Sequence, residues 1–196
     1  MVTEKMKEKL QCLTSLVAAV LLATSCSVVQ DLTKDWTNGE ASFIPTPMEV
    51  VDRMLELAQV TEKDVVYDLG SGDGRIIIRA AKKCGARGVG IEIDPNLVKQ
   101  SREKTRQEGV SHLVDFRVQD ALTVDVSPAT VVTLYLTPEF NAKLRPNLEL
   151  QLRPGARVVS HDHRTEGWTP TKIETIPGGL FHQHRIYLWK IEGQRR

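Results

Sequence analysis

Asp68-Leu69-Gly70-Ser71-Gly72-Asp73-Gly74 stands between two apolar runs, Val65-Val66-Tyr67 before it and Ile76-Ile77-Ile78 after it. The first run reads as a strand and the second as the start of a helix, so the glycines form a strand-to-helix turn. A turn of this kind lets a ligand lie against bare backbone at a helix N-terminus. A dinucleotide suits it poorly, because the pyrophosphate would meet Asp68 and Asp73. The spacing agrees: the last glycine of a G-x-G-x-x-G pattern would fall on Arg75. S-adenosylmethionine (SAM) carries no phosphate but has an ammonium and a sulfonium, and it is the ligand expected here. A purely structural glycine turn is the rival reading, and a second acid argues against it.

That acid is Glu92, 20 residues beyond Gly72 and at the end of the next strand-like run, Gly88-Val89-Gly90-Ile91. In nucleoside-binding α/β folds an acid at about this distance, ~20 residues, accepts hydrogen bonds from ribose hydroxyls. One carboxylate has lone pairs enough for both hydroxyls. Asp94, the nearby competitor, fits better as a helix N-cap with Pro95 at the first helical position. A third acid, Asp120, follows the run 114–118 and is placed to accept from an adenine amino group.

Working outward, strands are expected at 65–67, 88–93, 114–118, 130–136, 156–160, 172–176 and 185–191. Helices are expected at 75–83, 95–108 and 138–152, and another begins at a Thr46-Pro47-Met48-Glu49 capping box. This alternation predicts an α/β fold with a doubly wound sheet of seven strands, the last one antiparallel. Asp68, Glu92, Asp120, Leu136 and Ser160 all end strands and so share the ligand-binding edge. About 20 residues separate strands four and five, too few for an inserted substrate domain.

The 196 residues carry a net charge of +1, 41% hydrophobic and 5% aromatic residues, which speaks against a large nucleic-acid footprint or a base-stacking platform. Cys12, Cys26 and Cys84 are too few and too dispersed for a disulfide framework or a zinc site. Lys5, Lys7 and Lys9 precede an uncharged apolar stretch, 10–23, and then Thr24-Ser25-Cys26. That layout is an export signal, a lipoprotein signal with lipidation at Cys26, or a membrane anchor. The expected organisation is a leader over 1–26, a linker over 27–42 and one folded domain over 43–196. The lysines place the domain outside the cytoplasm, whereas SAM is held inside it. The sequence leaves that conflict open.

The loop 68–74, Glu92, Asp120 and the segment Leu152-Arg153-Pro154-Gly155-Ala156-Arg157-Val158-Val159 together resemble a class I SAM-dependent methyltransferase. Gly70-Ser71-Gly72-Asp73-Gly74-Arg75-Ile76 and the preceding Pro45-Thr46-Pro47 are similar to one branch: the mitochondrial protein-lysine methyltransferases acting on the ATP synthase c-subunit and the adenine nucleotide translocase, with their bacterial relatives. The resemblance implies a Rossmann-like sheet. It also implies that Asp68 and the backbone of Gly70 and Gly72 hold the methionine part of SAM, with Ser71 and Gly74 in the same cofactor-binding loop, that Asp73 faces the ammonium directly or through water, and that Glu92 and Asp120 take the ribose and adenine. Tyr135, Thr137 and Pro138 stand where such enzymes line the methyl-transfer site; Tyr135 either orients the acceptor amine or is a buried strand tyrosine with a satisfied hydroxyl. The segment is not the Asn/Asp-Pro-Pro-Tyr motif of enzymes that methylate nucleic-acid amino groups. The expected acceptor is a lysine of a membrane-associated protein. The alternatives are a small molecule or lipid, or a binding lipoprotein without catalysis. The expected state is a monomer without nucleic acid.

His161-Asp162-His163 and His182-Gln183-His184 flank the acceptor side of the last two paired strands. They are read as polar loop edges, not as a metal site. Proton acceptance by His161 or His163 is the alternative role.

Overall fold

The computed structural model describes residues 43–178 and 182–192. Contacts divide the chain between Ile44 and Pro45, so the leader, the linker and Cys26 lie outside the described residues. The sheet and its helices all belong to the second unit.

The elements are α1 (Met48–Leu57), β1 (Val65–Leu69), α2 (Arg75–Cys84), β2 (Arg87–Glu92), α3 (Pro95–Gln107), β3 (Val114–Val118), β4 (Val131–Leu134), α4 (Pro138–Gln151), β5 (Arg157–His161), β6 (Lys172–Pro177) and β7 (Gln183–Lys190). The seven strands lie in the order β3-β2-β1-β4-β5-β7-β6. The first five are parallel, and β7 runs antiparallel to both of its neighbours, β5 and β6. This is the doubly wound α/β sheet expected from the alternation of runs.

Alternation along the strands sends side chains to two cores. On one face Val66, Val131, Val159 and Ile186 pack with Val50 and Met54 of α1, Ile77 of α2 and Val98 of α3. On the other, Leu69, Ile91, Val132 and Leu134 pack with Leu144 and Leu148 of α4 and with Val124 and Val126. All four β4 residues are buried, as a central parallel strand requires. β4 ends earlier than its apolar run suggests. Tyr135 and Leu136 therefore leave the sheet beyond the carboxyl end of β4.

The helix signals hold with one exception. Gly85 caps α2 in the left-handed conformation, and Asp94 caps α3 by accepting from Asn96 N–H at 2.7 Å. The Thr46 capping box does not form: Pro47 is the N-cap of α1, with no side-chain cap bond. The Thr46 hydroxyl is instead buried 3.3 Å from His161 Nδ1. A tertiary contact has taken the group that local pattern assigned to the helix end. Among the described residues no helix is long and apolar enough to cross a membrane.

Candidate SAM site and acceptor side

The glycine loop owes its shape to β2. Gly70 N–H and Ser71 N–H both donate to the Ile91 carbonyl at 2.9 Å, and Gly72 N–H donates to Glu92 Oε2 at 2.9 Å. Gly74 N–H turns back to the Ser71 carbonyl at 2.9 Å. Four amide hydrogens are thus spent inside the protein. A phosphate cradle needs such hydrogens aimed at the ligand. The loop therefore cannot serve a pyrophosphate in this form, and a cationic ligand fits it better.

Two glycines make the close packing possible. At Gly90, a Cβ would stand 2.8 Å from Ser71 Oγ and closer still to the Phe116 ring. Gly74 has φ +75°, and a Cβ there would also strike Phe116. Phe116 is fully buried under both, and it fixes the distance between the loop and β2.

Glu92 is held rigidly. Oε2 accepts from Gly72 N–H, and Oε1 accepts from Ile93 N–H at 2.8 Å and Asp94 N–H at 3.0 Å. Three of roughly four acceptor positions on a carboxylate are occupied. One remains at Oε2. A ribose would be met by one strong acceptor, or by both oxygens only if a backbone bond is shared, which narrows the two-hydroxyl expectation. Ile93, the next residue, is 70% exposed beside it and offers an apolar surface for a planar base.

Asp68 is 2% exposed, and its Oδ1 accepts from the buried Thr133 hydroxyl at 2.6 Å. Burial pushes its pKa up to about 7. Thr133 pulls the other way, and the charges of Glu92 and Asp73 add to the rise. A cation is what this carboxyl lacks.

Asp73 is paired within the chain. Its Oδ1 accepts from Arg75 Nε at 2.9 Å and Arg75 N–H at 3.2 Å, and its Oδ2 pairs with Lys104 Nζ at 3.1 Å. Burial works against its ionisation, yet Arg75 and Lys104 hold its pKa below the ordinary value. It places a negative charge of the chain's own at the N-terminus of α2, where the helix dipole favours one. Sequence spacing hides this pairing, because Lys104 is 31 residues away. Ser71 also turns inward. Its hydroxyl is buried without a partner among the described residues.

Asp120 lies two residues past β3, exposed, with Oδ1 accepting from Leu122 N–H at 2.9 Å. Thr137 is the N-cap of α4, accepting from Phe140 N–H at 3.3 Å, and Pro138 is its first residue. Both are exposed and start a helix. Tyr135 is half-buried. Its ring lies 4.0 Å from the His161 ring and 6.0 Å from that of His163. Burial, with Asp162 nearby, raises its phenol pKa further, so it stays neutral near pH 7.

The antiparallel pairing brings the two histidine segments together, since His161 opposes Ile186 across β5 and β7. His161 is fully buried. Burial, reinforced by the neighbouring histidines, lowers its pKa despite Asp162. Sequence reasoning missed Thr133, which orients Asp68, and Ser101, whose buried hydroxyl donates to the Gly72 carbonyl at 3.0 Å. A lone hydroxyl in a strand or helix carries no signal until the packing is known.

A family model for the ANTKMT methyltransferase domain matches residues 68–172. A protein-lysine N-methyltransferase of Saccharolobus islandicus (strain REY15A) is 42% identical over 150 residues, covering 76% of this chain and 92% of that protein. The human lysine N-methyltransferase of the ATP synthase c-subunit is 32% identical, covering 82% of this chain and 68% of its own. Among solved structures, an RNA methyltransferase from Salinibacter ruber, crystallised with S-adenosyl-L-homocysteine, is 55% identical with a TM-score of 0.74, covering 78% of this chain and 97% of that one.

Proposed function

Because the chain belongs to the ANTKMT methyltransferase family and is a SAM-dependent methyltransferase, we propose that it methylates lysine side chains of a protein, and that this protein is membrane-associated. The observation that carries the reading is the 42% identity, over 92% of its length, to a protein named for lysine methylation. The membrane part rests on the apolar leader at 10–23 and on the c-subunit named in a second relative. We assign localisation to a membrane through that leader, with Cys26 as its lipid attachment point.

SAM supplies an activated methyl group and its own leaving group. The chain's work is then to hold the donor, orient the acceptor and exclude water. We assign the donor to the face made by Asp68, the backbone of Gly70 and Gly72, Glu92 and Ile93, with Asp120 at the adenine end. Asp68 meets the ammonium and ionises fully on doing so. A lysine attacks only as the free amine. A partly apolar site beside a cation lowers its pKa and releases the proton. Tyr135 stays neutral and half-buried at the end of β4, and its hydroxyl orients the amine lone pair. Thr137 and Pro138 act indirectly, by fixing where α4 starts and so where Tyr135 stands.

A second reading has one observation behind it. The 55% identical Salinibacter ruber protein is named an RNA methyltransferase. Against that reading stand the net charge of +1 and the 5% aromatic content, which give little to bind a polyanion. The deciding experiment supplies labelled SAM to the full chain with membrane fractions, with soluble protein and with total RNA from the same cells. Lysine methylation reads out as a mass increase mapped to a lysine of a membrane protein. Label confined to RNA overturns the proposal, and label in a lipid extract selects the small-molecule alternative.

A further inference from the structure

Asp162 has φ +56°, a left-handed conformation that residues with a side chain adopt only at a cost. The turn is secured on every side. His163 N–H donates to the His161 carbonyl at 2.6 Å, and Asp162 N–H donates to the Arg185 carbonyl at 2.7 Å. Arg185 N–H donates to Asp162 Oδ1 at 2.7 Å. One carboxylate oxygen is thereby fixed on β7, and the other is aimed at the histidines. Asp162 Oδ2 lies 3.2 Å from His161 Nε2 and 3.5 Å from His184 Nδ1, and those two nitrogens are 2.9 Å apart.

A single proton between the two rings leaves one edge of this triangle without a hydrogen bond. The ionised carboxylate oxygen only accepts, and each ring nitrogen carries one proton or one lone pair. If both nitrogens donate to the carboxylate, their protons face each other across 2.9 Å. If one is unprotonated, it accepts from the other ring, and its edge to the carboxylate carries no hydrogen bond. A cation at the centre turns all three lone pairs into favourable contacts. The size is right as well. A tetrahedral ion with bonds of about 2.0–2.1 Å to nitrogen and oxygen sets its donors ~3.3 Å apart, and the observed edges of 2.9, 3.2 and 3.5 Å lie around that value. His182 Nε2 is also close, 3.2 Å from His184 Nδ1 and 3.7 Å from Asp162 Oδ2. The outer contacts are those that orient metal ligands: Thr46 Oγ1 at His161 Nδ1, and Arg185 N–H at Asp162 Oδ1.

We propose that His161, Asp162 and His184, with His182 as the fourth ligand, bind a divalent transition-metal ion of the zinc class. Imidazole and carboxylate donors suit zinc and its neighbours rather than magnesium or calcium. The ion ties the end of β5 to the start of β7 and, through His161, to Thr46 ahead of α1. It also fixes the His161 ring against which Tyr135 packs. The inference does not depend on the identity of the methyl acceptor.

The test uses the untagged full chain, stripped with a chelator and titrated with Co²⁺ and then Zn²⁺. One equivalent of Co²⁺ should bind with the intense visible absorption of a tetrahedral site, and Zn²⁺ should displace it. His184→Ala and Asp162→Asn should each lose at least tenfold in affinity, while His163→Ala, on the same turn but outside the donor set, should bind as wild type. No stoichiometric binding, or wild-type affinity in both ligand variants, overturns the proposal. If the variants fail to fold, nitrogen-15 spectra of the wild-type histidines decide. Zn²⁺ should shift His161 Nε2 and His184 Nδ1, and unchanged resonances overturn the proposal. SAM affinity measured on the same samples keeps failure here distinct from failure of the methyltransferase assignment.

Discussion

Two carboxylates in one site have opposite relations to the fold. Glu92 is satisfied by three backbone N–H groups, whereas Asp68 is buried with a single hydroxyl partner. Glu92→Gln turns an NH2 group toward one or more of those N–H donors. It should weaken SAM binding ten- to a hundredfold by calorimetry, the scale of losing one or two hydrogen bonds to a charged group, about 1.5–3 kcal/mol. For Asp68 the folded pKa of about 7 lies above the ordinary 3.8. Between those values the folded chain keeps a proton that the unfolded chain has released. The stability contributed by this group is therefore full below pH 4 and declines as pH rises to 7, by on the order of 4 kcal/mol. Denaturation of Asp68→Asn, compared with wild type from pH 4 to 8, should lack that slope. SAM affinity should move the other way and tighten as pH rises through about 7, because the donor's ammonium selects the ionised carboxyl. Equal wild-type affinity at pH 6 and pH 8 would contradict this.

At the scale of elements, the loop, β2 and α2 form one packed unit around Phe116. Gly90→Ala should cost about 1–3 kcal/mol of stability by overpacking, measured by chemical denaturation, and Phe116→Leu should recover part of it. This unit is legible in the sequence. Apolar runs mark the strands, and the glycine turn and the acid 20 residues later mark the site's frame. The hidden part depends on contacts between distant segments. Asp73 looks available by spacing alone, and Lys104 meets it from α3. Thr46 looks like a cap, and His161 reaches it from β5, 115 residues on. The histidine pairs look like separate loop edges, and the β5–β7 register brings them together. Local pattern records what a residue can do, and packing decides which option is taken.

For the whole molecule the consequence concerns where it works. Among the described residues no helix is long and apolar enough to cross a membrane, and the proposed attachment is assigned to the leader. In cell fractionation the full chain should sediment with membranes, while a chain starting at Phe43 should stay in the supernatant and still bind SAM. Cys26→Ser should abolish incorporation of a labelled fatty acid. Protease added to sealed vesicles should then report the side on which the domain lies. Degradation of the domain in intact cells' outer compartment would leave it without a donor supply and would favour the binding-lipoprotein alternative.

The strand order sets a timetable for assembly. β7 is made after β6 yet lies between β5 and β6. Until β7 is in place, β5 has one bare border and β6 has no partner strand. A chain interrupted before then offers two naked backbone rows to any passing neighbour. Pairing of Gln183–Lys190 closes both edges at once, so a chain lacking that strand should associate through its bare edges.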